Sequence, residues 1–106
     1  MDIETLREFC LSLPETTEAI KYGDQLCFMV NGKTFCSSNT KFLDKVNFKV
    51  APEDFVEMCE RPGIAPAPYG GAKFSYVQVA GFELLTDNEW RFFLKKSYDL
   101  FLANKL

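Results

Sequence analysis

Ile3, Leu6, Cys10 and Leu13 recur at the three-four spacing of a single buried stripe, so residues 3–13 are predicted to form a helix. Asp2 is placed to cap it, Glu4 lies in its positive first turn, and Pro14 ends it. The period then changes to two. Residues 17–22 read as a short strand, and 26–30 and 33–37 flank Asn31-Gly32, the strongest short-range hairpin signal. A two-residue turn there sets 30 opposite 33, 28 opposite 35 and 27 opposite 36. Leu26, Phe28, Val30 and Phe35 would then share one face, and Cys27, Met29, Thr34 and Cys36 the other. Residues 45–50 alternate cleanly, with Val46, Phe48 and Val50 inward and Lys45, Asn47 and Lys49 outward.

Ala51-Pro52-Glu53-Asp54 opens a second helix, since proline suits its first position and acids its first turn. Pro62 stops it. The next ten residues, Pro62-Gly63-Ile64-Ala65-Pro66-Ala67-Pro68-Tyr69-Gly70-Gly71, hold over half of the chain's prolines and glycines and read as restrained, non-helical backbone. Residues 74–80 form another strand, with Val77 and Val79 on one side and Tyr76 and Gln78 on the other. Residues 82–85 are irregular or a short strand. Thr86 and Glu89 form a capping box, with Leu85 and Trp90 as its staple, and open a last helix. Trp90, Phe93, Leu94, Ser97 and Phe101 make its inward stripe.

Helices at both ends and an antiparallel sheet between them predict an α+β fold, a two-layer α/β sandwich. The helices would cover the Val46/Phe48/Val50 face. The opposite face, with Lys45, Asn47 and Lys49, would lie open beside Cys27, Met29, Thr34, Cys36, Tyr76 and Gln78.

Length and composition narrow the picture. At 106 residues the chain is expected to be one domain, 1–106, with one modest core. Eleven Phe, four Tyr and one Trp supply enough ring burial to fold it without metal or disulfide, and no cofactor is implied. No apolar run approaches membrane-helix length, and the acidic start argues against a targeting peptide, so a cytoplasmic monomer or weak dimer is expected. There is no His, which excludes His-based acid/base and nucleophile pairs and leaves an enzyme the less favoured class. The net charge of −3 weighs against nucleic acid. Lys33, Lys41, Lys45 and Lys49 nevertheless make the middle of the chain a basic island, opposed there only by Asp44.

Several segments taken in order resemble the MmcQ/YjbR family of small bacterial proteins. They are Phe28-Met29-Val30-Asn31-Gly32-Lys33-Thr34-Phe35, Val46-Asn47-Phe48-Lys49 followed by Pro52-Glu53, the run from Arg61 to Tyr69, and Ser97-Tyr98-Asp99-Leu100 near Lys105-Leu106. The resemblance implies a CyaY-like, frataxin-like fold and suggests DNA binding through a double-wing arrangement of hairpins. The family brings no assigned reaction and no catalytic residues. Where similar proteins often carry a Trp after the Pro/Gly segment, this chain has Phe74 and Tyr76, which keep an aromatic wall but remove an indole donor.

Four places are candidates. In the Pro/Gly segment 61–74, Tyr69 and Lys73 could frame a small-ligand pocket with Asn47 and Lys49; the alternative is a stiffened connection. On the lysine face, Lys45, Asn47, Lys49 and Tyr76 could hold a single strand, while duplex contact through a winged hairpin would use Lys33 and Lys41. The alternative there is a solvated sheet face, and an exposed aromatic patch on it would favour a protein partner. Cys27 and Cys36, directly opposite in the expected register, lie near disulfide range as a redox pair, although a reducing compartment would keep them thiols. Glu4 and Glu8 lie four apart on one helix face, with Glu15 and Glu18 just beyond it, and read as ordinary solvated charges.

Overall fold

A computed structural model describes residues 1–42, 44–68 and 70–102. Its elements are α1 (Ile3–Ser12), β1 (Thr17–Lys21), β2 (Gln25–Val30), β3 (Lys33–Asn39), β4 (Val46–Lys49), α2 (Pro52–Cys59), β5 (Ile64–Pro66), α3 (Gly71–Phe74), β6 (Tyr76–Val79) and α4 (Asp87–Leu102), with one 3-10 turn at Phe82–Leu84. The strands form one antiparallel sheet in the order β1-β2-β3-β4-β6-β5. The fold is therefore α+β. Among the described residues no helix is long and apolar enough to cross a membrane.

Local chemistry sets the helix starts. Asp2 accepts a hydrogen bond from the Thr5 N–H at 2.8 Å, Pro52 opens α2, and Thr86 and Glu89 exchange bonds of 3.0 and 3.1 Å ahead of α4. The apolar stripes of α1, α2 and α4 then cover one face of the sheet. Leu6, Cys10, Met58, Trp90 and Leu94 pack on Phe28, Val46, Phe48, Val77 and Val79. Trp90 meets Phe48 edge-on with ring centroids 6.0 Å apart and donates its indole N–H to the Phe82 carbonyl at 2.9 Å. Each such ring contributes about 1.5–3 kcal/mol by burial. Tyr98, absent from the expected stripe, is buried and donates its hydroxyl to the Pro14 carbonyl at 2.7 Å, tying α4 to the end of α1.

The hairpin departs from the expected register. Asn31 and Gly32 take the left-handed conformation (φ 53° and 74°) that a tight two-residue turn requires, and Val30 faces Lys33 as expected. Beyond Thr34, however, Phe35 is an extra residue in β3. Phe28 therefore faces Cys36, and Cys27 faces Ser37. The bulge turns both Phe35 and Cys36 into the core, where neither is exposed, and Phe35 meets Tyr98 edge-on at 5.6 Å. Burial of a phenyl ring and a thiol outweighs a broken ladder. The expected opposition of Cys27 and Cys36 is thus corrected: directly opposed residues share a face, and these two lie on different ones.

The bulge leaves a gap between β3 and β4, and α4 fills it. Ser97 donates its hydroxyl to the Phe35 carbonyl at 2.7 Å and accepts the Lys49 N–H at 3.1 Å. A side chain completes the rung that the backbone cannot.

The Pro/Gly segment is also corrected. It is not a bare connection, because β5 adds an edge strand, with Ile64 opposite Val79, Ala65 opposite Gln78 and Pro66 opposite Val77. Proline is tolerated on an edge, where its missing N–H disrupts no inner ladder. α3 follows as one helical turn. Gly71 is required there by close approach: a Cβ on it would lie 2.9 Å from both the Tyr76 carbonyl and the Ala67 Cβ. Ser75 closes the turn at φ 60°, so the next strand starts at Tyr76 and not at Phe74.

Candidate functional site

The sheet's other face is open and concave. Its registers align one row across all six strands: Ala19, Cys27, Ser37, Asn47, Gln78 and Ala65. The row carries no formal charge and is small at both ends. Its middle members, Cys27, Ser37, Asn47 and Gln78, floor a basin of about 970 Å³. The Ala67–Pro68 and Gly70–Gly71 backbone bounds the basin at the β5 side. Tyr22, Phe42, Phe74 and Tyr76 supply its aromatic surfaces.

Three of those rings are unusually exposed: Tyr22 at 85%, Phe42 at 58% and Phe74 at 53%. Tyr22 stands on the β1–β2 turn with φ 56°, a conformation costly for a bulky residue. The Lys45 ammonium lies 5.2 Å from the Phe42 ring centre, and that of Lys73 lies 5.4 Å from Phe74. On the floor, Asn47 Nδ2 reaches Ser37 Oγ at 3.4 Å, while Asn47 Oδ1 is shielded from solvent with no hydrogen-bond partner. Tyr76 donates its hydroxyl to the Thr34 carbonyl at 2.6 Å; burial, with the nearby Cys27 and Tyr22, pushes its pKa up to about 12. Burial also raises the Cys27 thiol, whose Sγ faces the Gln25 carbonyl at 3.7 Å.

The structure therefore gathers Lys45, Asn47 and Tyr76 in the basin. Lys73 lies on α3, beside the ring of Phe74 at the basin wall. Lys49 shares the face, but its ammonium is committed: it donates to the Phe74 carbonyl and lies 5.5 Å from the Tyr76 ring centre, and burial draws its pKa down. It ties α3 to the sheet. Lys33 is exposed at the first position of β3 and Lys41 is exposed two residues past its last, so the two stand toward opposite ends of the strand, and neither lines the basin. Tyr69 lies outside the described residues. Cys36 belongs to the core beside Cys10, and burial together with Cys10 pushes its thiol well up. Sequence reasoning missed Tyr22, Phe42 and Ser37. A Gly-Asp pair after Tyr22 was the available signal for an aromatic displayed on a turn.

Among the described residues no cluster of three His, Cys, Asp or Glu is arranged to hold a metal ion. The basin offers neutral donors and acceptors, aromatic faces and one charge of each sign, Asp24 and Lys45. The geometry suits holding a partner by hydrogen bonds and stacking.

These features define a class: an α+β domain with one helix-covered sheet face and one open, polar-floored face. A model of the YjbR family matches residues 11–100, and the chain belongs to that family. Its fold is similar to the crystal structure of Deinococcus radiodurans protein DR2400, which carries the family-model domain DUF419. The TM-score is 0.84 at 24% identity, over 93% of this chain and 77% of that one. At that identity the likeness speaks for the fold alone. A search of curated proteins found no match.

Proposed function

We propose that the protein is a non-catalytic binding module whose ligand sits in the basin on the open sheet face, beside the Pro/Gly segment. The observation that carries this reading is the basin itself, floored by an uncharged polar row where a merely solvated sheet face would display charges. A fragment screen followed by amide chemical shifts tests it. Hits are expected to move the amides of Ser37, Asn47 and Gln78, and Gln78→Trp, which fills the basin with a strand-compatible ring, abolishes them. Hits scattered over the surface, or surviving Gln78→Trp, refute the reading.

One observation favours a second reading, a single nucleic-acid strand. Phe42 and Phe74 each carry a lysine beside an exposed ring, which pairs a stacking face with a phosphate contact. The dispersal of Lys33 and Lys41 speaks less for duplex contact through a winged hairpin. Binding of an oligothymidylate that weakens steeply with salt, and is lost in Phe42→Ala, supports this reading. No binding at low salt removes it.

A further inference from the structure

We infer that the basin floor selects a neutral, planar group bearing an N–H donor, a carboxamide or lactam-like ring, received by Asn47; this rests on reading the basin as a binding site. The argument starts from one atom. Asn47 Oδ1 is shielded and unpaired, while the other half of the same amide is spent on Ser37. A buried acceptor without a donor is costly and rare in native proteins. The second torsion of asparagine is soft, so a small rotation turns the oxygen toward the basin. An arriving N–H donor satisfies it.

Neutrality follows from the lining charges. Asp24 and Lys45 are opposite in sign, so a full charge of either kind meets no matching excess. Planarity follows from the walls. Tyr76 and the exposed rings of Phe42 and Phe74 offer faces for stacking, and the Gly70–Gly71 backbone offers a wall without bulk. Ser37 and Gln78 flank Asn47 in the row and can take the remaining polar edge of a carboxamide.

Three probes of nearly one shape isolate the donor. Benzamide has N–H donors, acetophenone puts a methyl where benzamide has its NH2 and has only an acceptor, and benzoate has only charged acceptors. Amide shifts of the labelled protein are followed in millimolar titrations, the range expected for fragments of this size. Benzamide is expected to shift Ser37, Asn47 and Gln78 with affinity about tenfold above the other two. Asn47→Leu erases that preference, and Asn47→Asp, which keeps an acceptor without an N–H, retains it. Equal binding of all three, or preference for the probes without donors, overturns the inference while leaving the basin a binding site. Failure of all three to bind also overturns it; the Gln78→Trp fragment test then decides the broader reading by itself.

Discussion

Replacing Ser97 by alanine removes one oxygen and should cost this protein a large share of its stability. The Ser97 hydroxyl is wholly buried and serves two backbone groups on different strands, the Phe35 carbonyl at 2.7 Å and the Lys49 N–H at 3.1 Å. Alanine leaves both groups without that partner, away from water. Each orphaned buried group costs about 1–3 kcal/mol, so the pair costs roughly 2–6 kcal/mol. Small domains are stable by only about 5–15 kcal/mol in total. A loss of that size lowers the melting temperature by on the order of 10–25 °C in a domain of this length. Urea unfolding followed by far-UV circular dichroism measures it. The slope with urea should stay that of the parent, because the surface exposed on unfolding hardly changes. Ser97→Cys, which keeps a small side chain with a weak donor, should fall between the two. A loss in Ser97→Ala below about 1 kcal/mol would mean that β3 and β4 close the gap by themselves, and Ser97 would then not be the bridge across the bulge.

Asn47→Leu removes an unpaired buried acceptor at the expense of one long hydrogen bond, so it should stabilise the protein by about 1 kcal/mol. A drop in melting temperature refutes that. Tyr22→Asn relieves a left-handed tyrosine and should add up to about 1 kcal/mol; unchanged or lower stability in thermal melts would count against strain at that turn. Tyr76 titrates near 12 in the folded chain against an ordinary value of 10, so the folded state disfavours its ionisation. Its contribution is complete below pH 10 and is lost as the pH rises through 12, and melts across that window should be steeper for the parent than for Tyr76→Phe. Mild oxidation followed by peptide mass spectrometry should yield no Cys27–Cys36 crosslink, since the two thiols lie on opposite faces of the sheet.

The elements that can be read from sequence are those whose cause is local. The capping box at Thr86 and Glu89, the Asn31-Gly32 turn, the proline at the start of α2 and the alternation from Val46 to Lys49 each rest on neighbours a few residues apart. So the helix starts, the polarity of β4 and the open face with Asn47, Tyr76 and Gln78 are legible. What escapes depends on distant partners. Residues 64–66 pair with β6, and prolines in the run point away from a strand although an edge accepts them. Tyr22 and Phe42 reach the basin from two turns that only the sheet brings together. Lys49 reads as a free cation, and only the position of Phe74 shows that its ammonium is taken. Ser97 reads as facing inward, but its two bonds cannot be inferred before the gap it spans is known.

The bulge at Phe35 connects the core to the basin. An unbroken β3 would alternate from Thr34 so that Cys36 and Ser38 faced the open side, and Ser37 and Asn39 pointed into the helices. That arrangement would bury the Asn39 amide in the core and remove Ser37 and Asn39 from the basin. The extra residue reverses every position after it. Cys36 and Ser38 are now fully buried, Ser37 stands between Cys27 and Asn47 on the floor, and Asn39 lines the basin while holding the turn through the Lys41 and Phe42 N–H groups at 2.8 and 3.0 Å. One inserted residue therefore sets both the packing of the helix side and the chemistry of the open side. The cost of the broken rung falls on Ser97, which lies on α4 and lines no part of the basin. Substitutions that alter the basin and substitutions that alter the core cannot be independent along this strand, because both are read through the same register.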